Sequence, residues 1–104
     1  MWGNLGVAID DFEAKAAEAA GLLKLLANER LLLILCRLVA EREMSVGALS
    51  AAVGLSQSAL SQHLAKMREE GLVATRREAQ TVMYRIADRN VSRVLKLLKD
   101  IYCP

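Results

Sequence analysis

Residues 45–86, SVGALSAAVGLSQSALSQHLAKMREEGLVATRREAQTVMYRI, constrain the fold of this chain more than any other stretch. Ser45 precedes a short run of small and apolar residues that stops at Gly54. Glycine tolerates the left-handed backbone that ends one helix and turns the chain toward the next. Ser56 then offers a second N-cap, and Gln57 to Glu70 carries Leu60, Leu64 and Met67 at helical intervals before Gly71 closes it. Beyond Gly71, Leu72 to Arg77 and Thr81 to Ala87 favour extended structure, with Glu78-Ala79-Gln80 as the connecting tip. The pattern is two short helices across a tight turn, followed by a charged hairpin.

The flanks complete the plan. Asp10 and Glu13 have capping-box spacing, and Phe12, Ala16, Ala19, Leu22 and Leu23 recur at helical intervals, predicting a helix from about Asp11 to Leu26. Asn28 caps a second helix, Glu29 to about Glu41, which is apolar nearly all round and therefore central. Asp88 or Asn90 starts a last helix that runs to about Tyr102. There is no internal repeat or low-complexity linker, and the only proline is the last residue. Residues 1–104 thus read as one mainly α domain with a small β-hairpin, ordered α-α-α-α-β-β-α. That order is the plan of a winged helix-turn-helix, a DNA-binding architecture.

Charge agrees with that plan. The net charge is only +2, yet residues 1–27 carry four acids and two bases, whereas residues 56–104 carry nine bases and five acids. The basic half coincides with the reading helix and hairpin, as a surface for phosphates requires. Hydrophobic residues make up 54% of the chain, high for a domain that buries only about two-thirds of its unfolded surface. Some apolar surface is therefore expected to be covered by a second copy. Val91, Val94, Leu95, Leu98, Ile101 and Tyr102 form a stripe that a lone terminal helix does not fully bury. The N-terminus lacks a basic leader and a continuous apolar core, and the longest apolar run, Leu31 to Cys36, is too short to span a bilayer. No signal peptide or membrane contact is expected. The expected location is the cytoplasm, where Cys36 and Cys103 rest as thiols.

On the second helix of the pair, Ser58, Ser61, Gln62 and Ala65 fall opposite the apolar stripe, with Gln57 beside them. Amides suit adenine edges, hydroxyls suit phosphate or base, and Ala suits a thymine methyl. Ser56 and His63 join this candidate surface at its edges. His63 borders the apolar stripe, so a packing role with at most one phosphate contact fits it better than base reading or metal binding. In the hairpin, Arg76, Arg77, Gln80 and Arg85 suit phosphates or the minor groove. The bland alternative for both elements is a solvated polar face.

At these residues the chain resembles the arsenic-repressor (ArsR/SmtB) family of bacterial transcription regulators. LLKLLANERLLLILCRL is similar to that family's first-to-second helix signature, LSQSALSQHLAKMREEGLV to its recognition helix, and RREAQTVMYRI to its wing, together covering about Leu22 to Tyr102. The resemblance implies a homodimer held by the first and last helices, bound to inverted-repeat half-sites of operator DNA until an inducer arrives. Many members sense metals, but Ser45 to Val53 lacks the cysteine pair that many carry there, and no histidine follows Asp88 in the last helix. No metal site, cofactor or enzymatic activity is therefore expected. Cys36 and Cys103 resemble the thiols of the two-cysteine branch, the BigR and SqrR repressors, which implies relief of binding when reactive sulfur species bridge them. Taken alone, Cys36 also reads as an inert helix cysteine and Cys103 as a bystander at the chain end. Peroxide or metal sensing through the same thiols, and a winged-helix protein-interaction module, are the alternative functions. A thiol enzyme is disfavoured, because no C-x-x-C motif occurs and the only histidine lies on another element.

Overall fold

A computed structural model describes residues 9–103. The elements are α1 (Ile9–Leu26), α2 (Glu29–Glu41), β1 (Met44–Ser45), α3 (Val46–Val53), α4 (Gln57–Glu69), β2 (Val73–Glu78), β3 (Thr81–Ile86) and α5 (Arg89–Tyr102). All five predicted helices and both hairpin strands are present within two residues of their expected ends.

Short side chains set the helix starts. Asn28 Oδ1 accepts from the Leu31 amide at 3.1 Å, Ser45 Oγ from Ala48 at 3.2 Å, Ser56 Oγ from Ala59 at 3.1 Å, and Asp88 Oδ1 from Asn90 at 2.8 Å. Each satisfies an amide that the first helical turn leaves without a partner. The capping box expected at Asp10 and Glu13 does not form in that way. Helix α1 already includes Ile9, so Asp10 and Asp11 lie in its first turn, where their charge meets the positive end of the helix dipole.

The core forms where α2 crosses the reading pair and the last helix. Ile34, Leu35 and Leu38 of α2 meet Leu49 of α3, Leu60, Leu64 and Met67 of α4, and Val91 and Leu95 of α5, all essentially without solvent contact. Each such side chain contributes about 1.5–3 kcal/mol relative to exposure. Leu26, Leu72 and Val73 seal the edges.

A third strand, absent from the sequence reading, pairs with the hairpin. The sheet order is β1-β3-β2, all antiparallel, with Met44 opposite Tyr84 and Ser45 opposite Met83. Two residues are too few to show strand alternation, so only the fold reveals β1. At the hairpin tip Glu78 pairs with Thr81, and Ala79 takes φ 56°, a region where glycine is usual.

The described chain is elongated, measuring 50 × 30 × 21 Å, with a radius of gyration of 15.6 Å. A compact domain of this size has about 13 Å. Most of α1 accounts for the excess, since between Asp10 and Leu25 only Ala19 and Leu22 are even half-buried.

Candidate nucleic-acid interface and thiol pair

The reading pair is held by its turn. Gly54 adopts φ 72° and ψ 26°, and its amide donates to the Ser50 carbonyl at 3.0 Å. Ser50 Oγ also donates to the Leu55 carbonyl, tying the end of α3 to the residue before the α4 cap. The far end of α4 is fixed as firmly. Leu72 donates to the Met67 carbonyl at 2.9 Å and Gly71, with φ 75°, to Arg68 at 3.1 Å, the two bonds of a Schellman stop. Leu72 and Met67 are both buried, adding the apolar contact that accompanies that motif.

With Leu60, Leu64 and Met67 anchored inward, Gln57, Ser58, Ser61, Gln62 and Ala65 are all exposed on one outer surface. Lys66 and Arg68 place positive charge in the last turn of the same helix. Ser56 accepts the capping bond through Oγ, which leaves its hydroxyl proton to donate elsewhere. The Gln57 amide lies beside Gly47 of α3, with Nε2 3.9 Å from where a Cβ would sit there. His63 is half-buried and lines a groove of about 300 Å³ with Leu25, Asn28, Leu31 and Lys66. It therefore faces the junction of α1 and α2, in agreement with its place at the edge of the apolar stripe.

The wing arginines, grouped by sequence, are separated by the pleat. Arg76 lies opposite Met83 and Arg85 opposite Ala74, on one sheet face, whereas Arg77 lies opposite Val82 on the face that carries Val73 and Tyr84. Arg77, Gln80 and Arg85 are exposed. Arg76 is already engaged. Its Nε and Nη2 fork onto Glu43 at 2.7–3.0 Å, and Nη2 also donates to Glu78 Oε2 at 2.8 Å. The hydrogen bond from Arg76, together with the charges of Arg76 and Arg85, holds the Glu43 carboxyl below the usual range. Of the three arginines expected to suit phosphates or the minor groove, Arg76 is thus paired within the free protein. Glu43 sits in the loop before β1, and nothing in its sequence neighbourhood marks it as a partner of residue 76.

The two cysteines come from distant positions. Cys36 lies on α2 and Cys103 at the C-cap of α5, where its amide donates to the Lys99 carbonyl at 2.7 Å. Both are free and both are exposed. Partial burial pushes the Cys36 thiol up, and the nearby Cys103 adds to that rise. Folding thus brings the two sulfur groups within electrostatic range of one another. Among the described residues, no three His, Cys, Asp or Glu side chains group as a metal ion would need, and no helix is long and apolar enough to cross a membrane.

The apolar stripe expected on α5 divides between buried and exposed residues. Val91 and Leu95 are spent in the chain's own core, and Val94 and Leu98 are half-buried against it. Ile101 and Tyr102 stay exposed at 57% and 77%, and Leu97, missed by the sequence reading, at 58%. The apolar surface of α5 is wider than one stripe: Val91, Leu95 and Leu98 turn inward while Leu97 and Ile101 lie on the neighbouring row.

Comparison with known proteins agrees with this architecture. The profile of the bacterial regulatory protein arsR family matches residues 28–75. The transcriptional activator HlyU of Vibrio cholerae is 52% identical over 95 residues, covering 91% of this chain and 87% of HlyU. The chain belongs to the arsR family. The structure of reduced HlyU from Vibrio cholerae superposes with a TM-score of 0.81 at 52% identity, covering 90% of this chain and 98% of that one. That of the transcriptional repressor BigR from Xylella fastidiosa gives 0.85 at 38% identity, covering 94% and 99%. Membership of the arsR family places α3 and α4 as a DNA-binding helix-turn-helix, β2 and β3 as its wing, and the protein among transcription regulators, not enzymes.

Proposed function

We propose that this arsR-family regulator is a dimeric transcriptional repressor whose operator binding is relieved when Cys36 and Cys103 are bridged by reactive sulfur. The observation that carries this reading is the approach of two exposed thiols from α2 and α5, close enough for one to raise the pKa of the other. Similarity to BigR, named a transcriptional repressor, supports repression, whereas HlyU is named a transcriptional activator.

The chemistry balances with a low-molecular persulfide as reagent. Either thiol can open the reaction; with Cys103 attacking, Cys36 resolves. The Cys103 thiolate takes the sulfane sulfur of RSSH, forming Cys103–S–SH and releasing RSH. Cys36 then attacks the Cys103 Sγ and expels hydrosulfide, leaving a disulfide. When both cysteines carry an added sulfur, the terminal sulfur of one attacks the Sγ of the other. Hydrosulfide leaves and a three-sulfur bridge remains. A plain disulfide holds Cα atoms about 4.4–6.8 Å apart, and the longer bridge relaxes that demand.

Either bridge ties the central helix to the last one. In a dimer joined by α1 and α5, that displaces two α4 helices that must meet half-sites about 34–36 Å apart. A coupling of about 1–3 kcal/mol lowers DNA affinity roughly 5–150-fold. A mobility shift of the protein's own promoter, with reduced and with persulfide-treated protein, is the test. Release by persulfide is expected in the native protein and its loss in Cys36→Ser and Cys103→Ser. If both variants still release DNA under persulfide, the thiol assignment is wrong. Mass spectrometry of the treated protein separates added sulfur from a bare disulfide, as peroxide produces, or a retained metal.

A further inference from the structure

On the outer face of the wing two carboxylates converge on one cation. One guanidinium, Arg76, is gripped by two carboxylates: Glu43 accepts from both Nε and Nη2, and Glu78 accepts a second bond from Nη2. Exposed ion pairs add little to stability. Arg76 keeps 46% of its side chain in solvent, Glu78 63% and Glu43 26%, so the fork is open to solvent from the arginine side. The loop that presents Glu43 is nevertheless shaped for it. Arg42 closes α2 at φ 71° and ψ −50°, a conformation that non-glycine residues rarely adopt, and the Glu43 amide folds back to the Glu41 carbonyl at 2.9 Å. The result places a carboxylate against a cation of β2 that shares its sheet face with Arg85 of β3.

A fork of this shape is what an arginine makes with a phosphate. We propose that Glu43 is a determinant of DNA affinity, competing with backbone phosphate for the Arg76 guanidinium and so holding one wing cation back from the duplex. Glu78 reinforces the hold from the hairpin tip. The wing then meets DNA through Arg77 and Arg85, and Arg76 adds a phosphate contact only when Glu43 lets go. The inference rests on the wing touching DNA, not on the thiol switch, and it gives the protein a weaker, less salt-sensitive grip than its arginine count implies.

The experiment is the salt dependence of duplex binding by reduced protein. It uses wild type, Glu43→Gln, Arg76→Gln, their double variant, and Arg77→Gln and Arg85→Gln as a separate check on the wing. Each phosphate neutralised steepens the log–log slope by about 0.9 and raises affinity roughly three- to tenfold near 0.1 M salt. Glu43→Gln is expected to steepen the slope by that amount per protomer, Arg76→Gln to leave it nearly unchanged, and the double variant to return to the wild-type slope. An equal gain in Glu43→Gln and in the double variant means that Glu43 merely repels DNA, which overturns the competition. A weaker Glu43→Gln that keeps the wild-type helix content means that the fork positions the wing, which overturns it as well. If Arg77→Gln and Arg85→Gln leave the slope untouched, the wing contact itself fails, an outcome distinct from failure of the Glu43 assignment.

Discussion

The reading pair and the terminal helices are built from similar apolar residues, yet they end in opposite states. In α3 and α4 the large apolar side chains turn into the chain's own core, with Leu49, Leu60, Leu64 and Met67 out of solvent and both helix ends closed by capping bonds. In α1 and α5, Leu23, Leu97, Ile101 and Tyr102 remain more than half exposed. The protomer therefore completes its DNA-reading unit alone and leaves its arms unfinished. Exposed apolar surface of this kind on a small domain marks an interaction face. In the dimer proposed above, with Cys103 at the end of one such arm, a change in the arms would alter how two reading units are spaced.

Leu64→Ala is expected to break the reading-pair side of this contrast most severely. Its site is fully enclosed, and the loss is about 2–5 kcal/mol in chemical denaturation. The matching change in the arms, Leu97→Asp with Ile101→Asp, is expected to leave helix content intact but weaken self-association roughly thirtyfold for each anchor lost, read by sedimentation. If the double variant instead unfolds, the arms belong to the protomer core and the contrast disappears. Gly54→Ala sharpens the comparison at smaller scale. A Cβ there meets nothing within 4 Å, so the expected cost of about 1–2 kcal/mol comes from the left-handed backbone alone.

The smallest effect concerns the Glu43–Arg76 fork. Because the folded carboxyl is held below its usual value, its contribution to stability is present above about pH 4.3, the unfolded value. It is lost as pH falls through the lower folded value. The gap in melting temperature between wild type and Glu43→Gln should therefore close as the solution is acidified below about pH 4. A gap that stays constant to pH 3 removes the fork from the stability of the wing.

Much of this was legible in local pattern. Ser45, Gly54, Ser56 and Gly71 punctuate the reading pair because capping and left-handed turns depend on single residues and their immediate neighbours. The outward face of α4 followed from helical period alone. The misses share a different origin. Strand β1 forms only because β3 offers it an edge, and Arg76 finds Glu43 thirty-three positions away. On α5, two adjoining apolar rows look alike in sequence, and only packing against α2 and β3 decides that Val91 and Leu95 go inward while Leu97 and Ile101 stay out.

Sequence alone determined the order of elements, the turn chemistry and the outward polar face of α4, because periodicity and capping act within a few residues. Tertiary structure alone decided which cations are free, which apolar row is left over, and that Cys36 and Cys103 lie near one another. Those are pairings between segments far apart in the chain, and the geometry of one segment does not contain the position of the other.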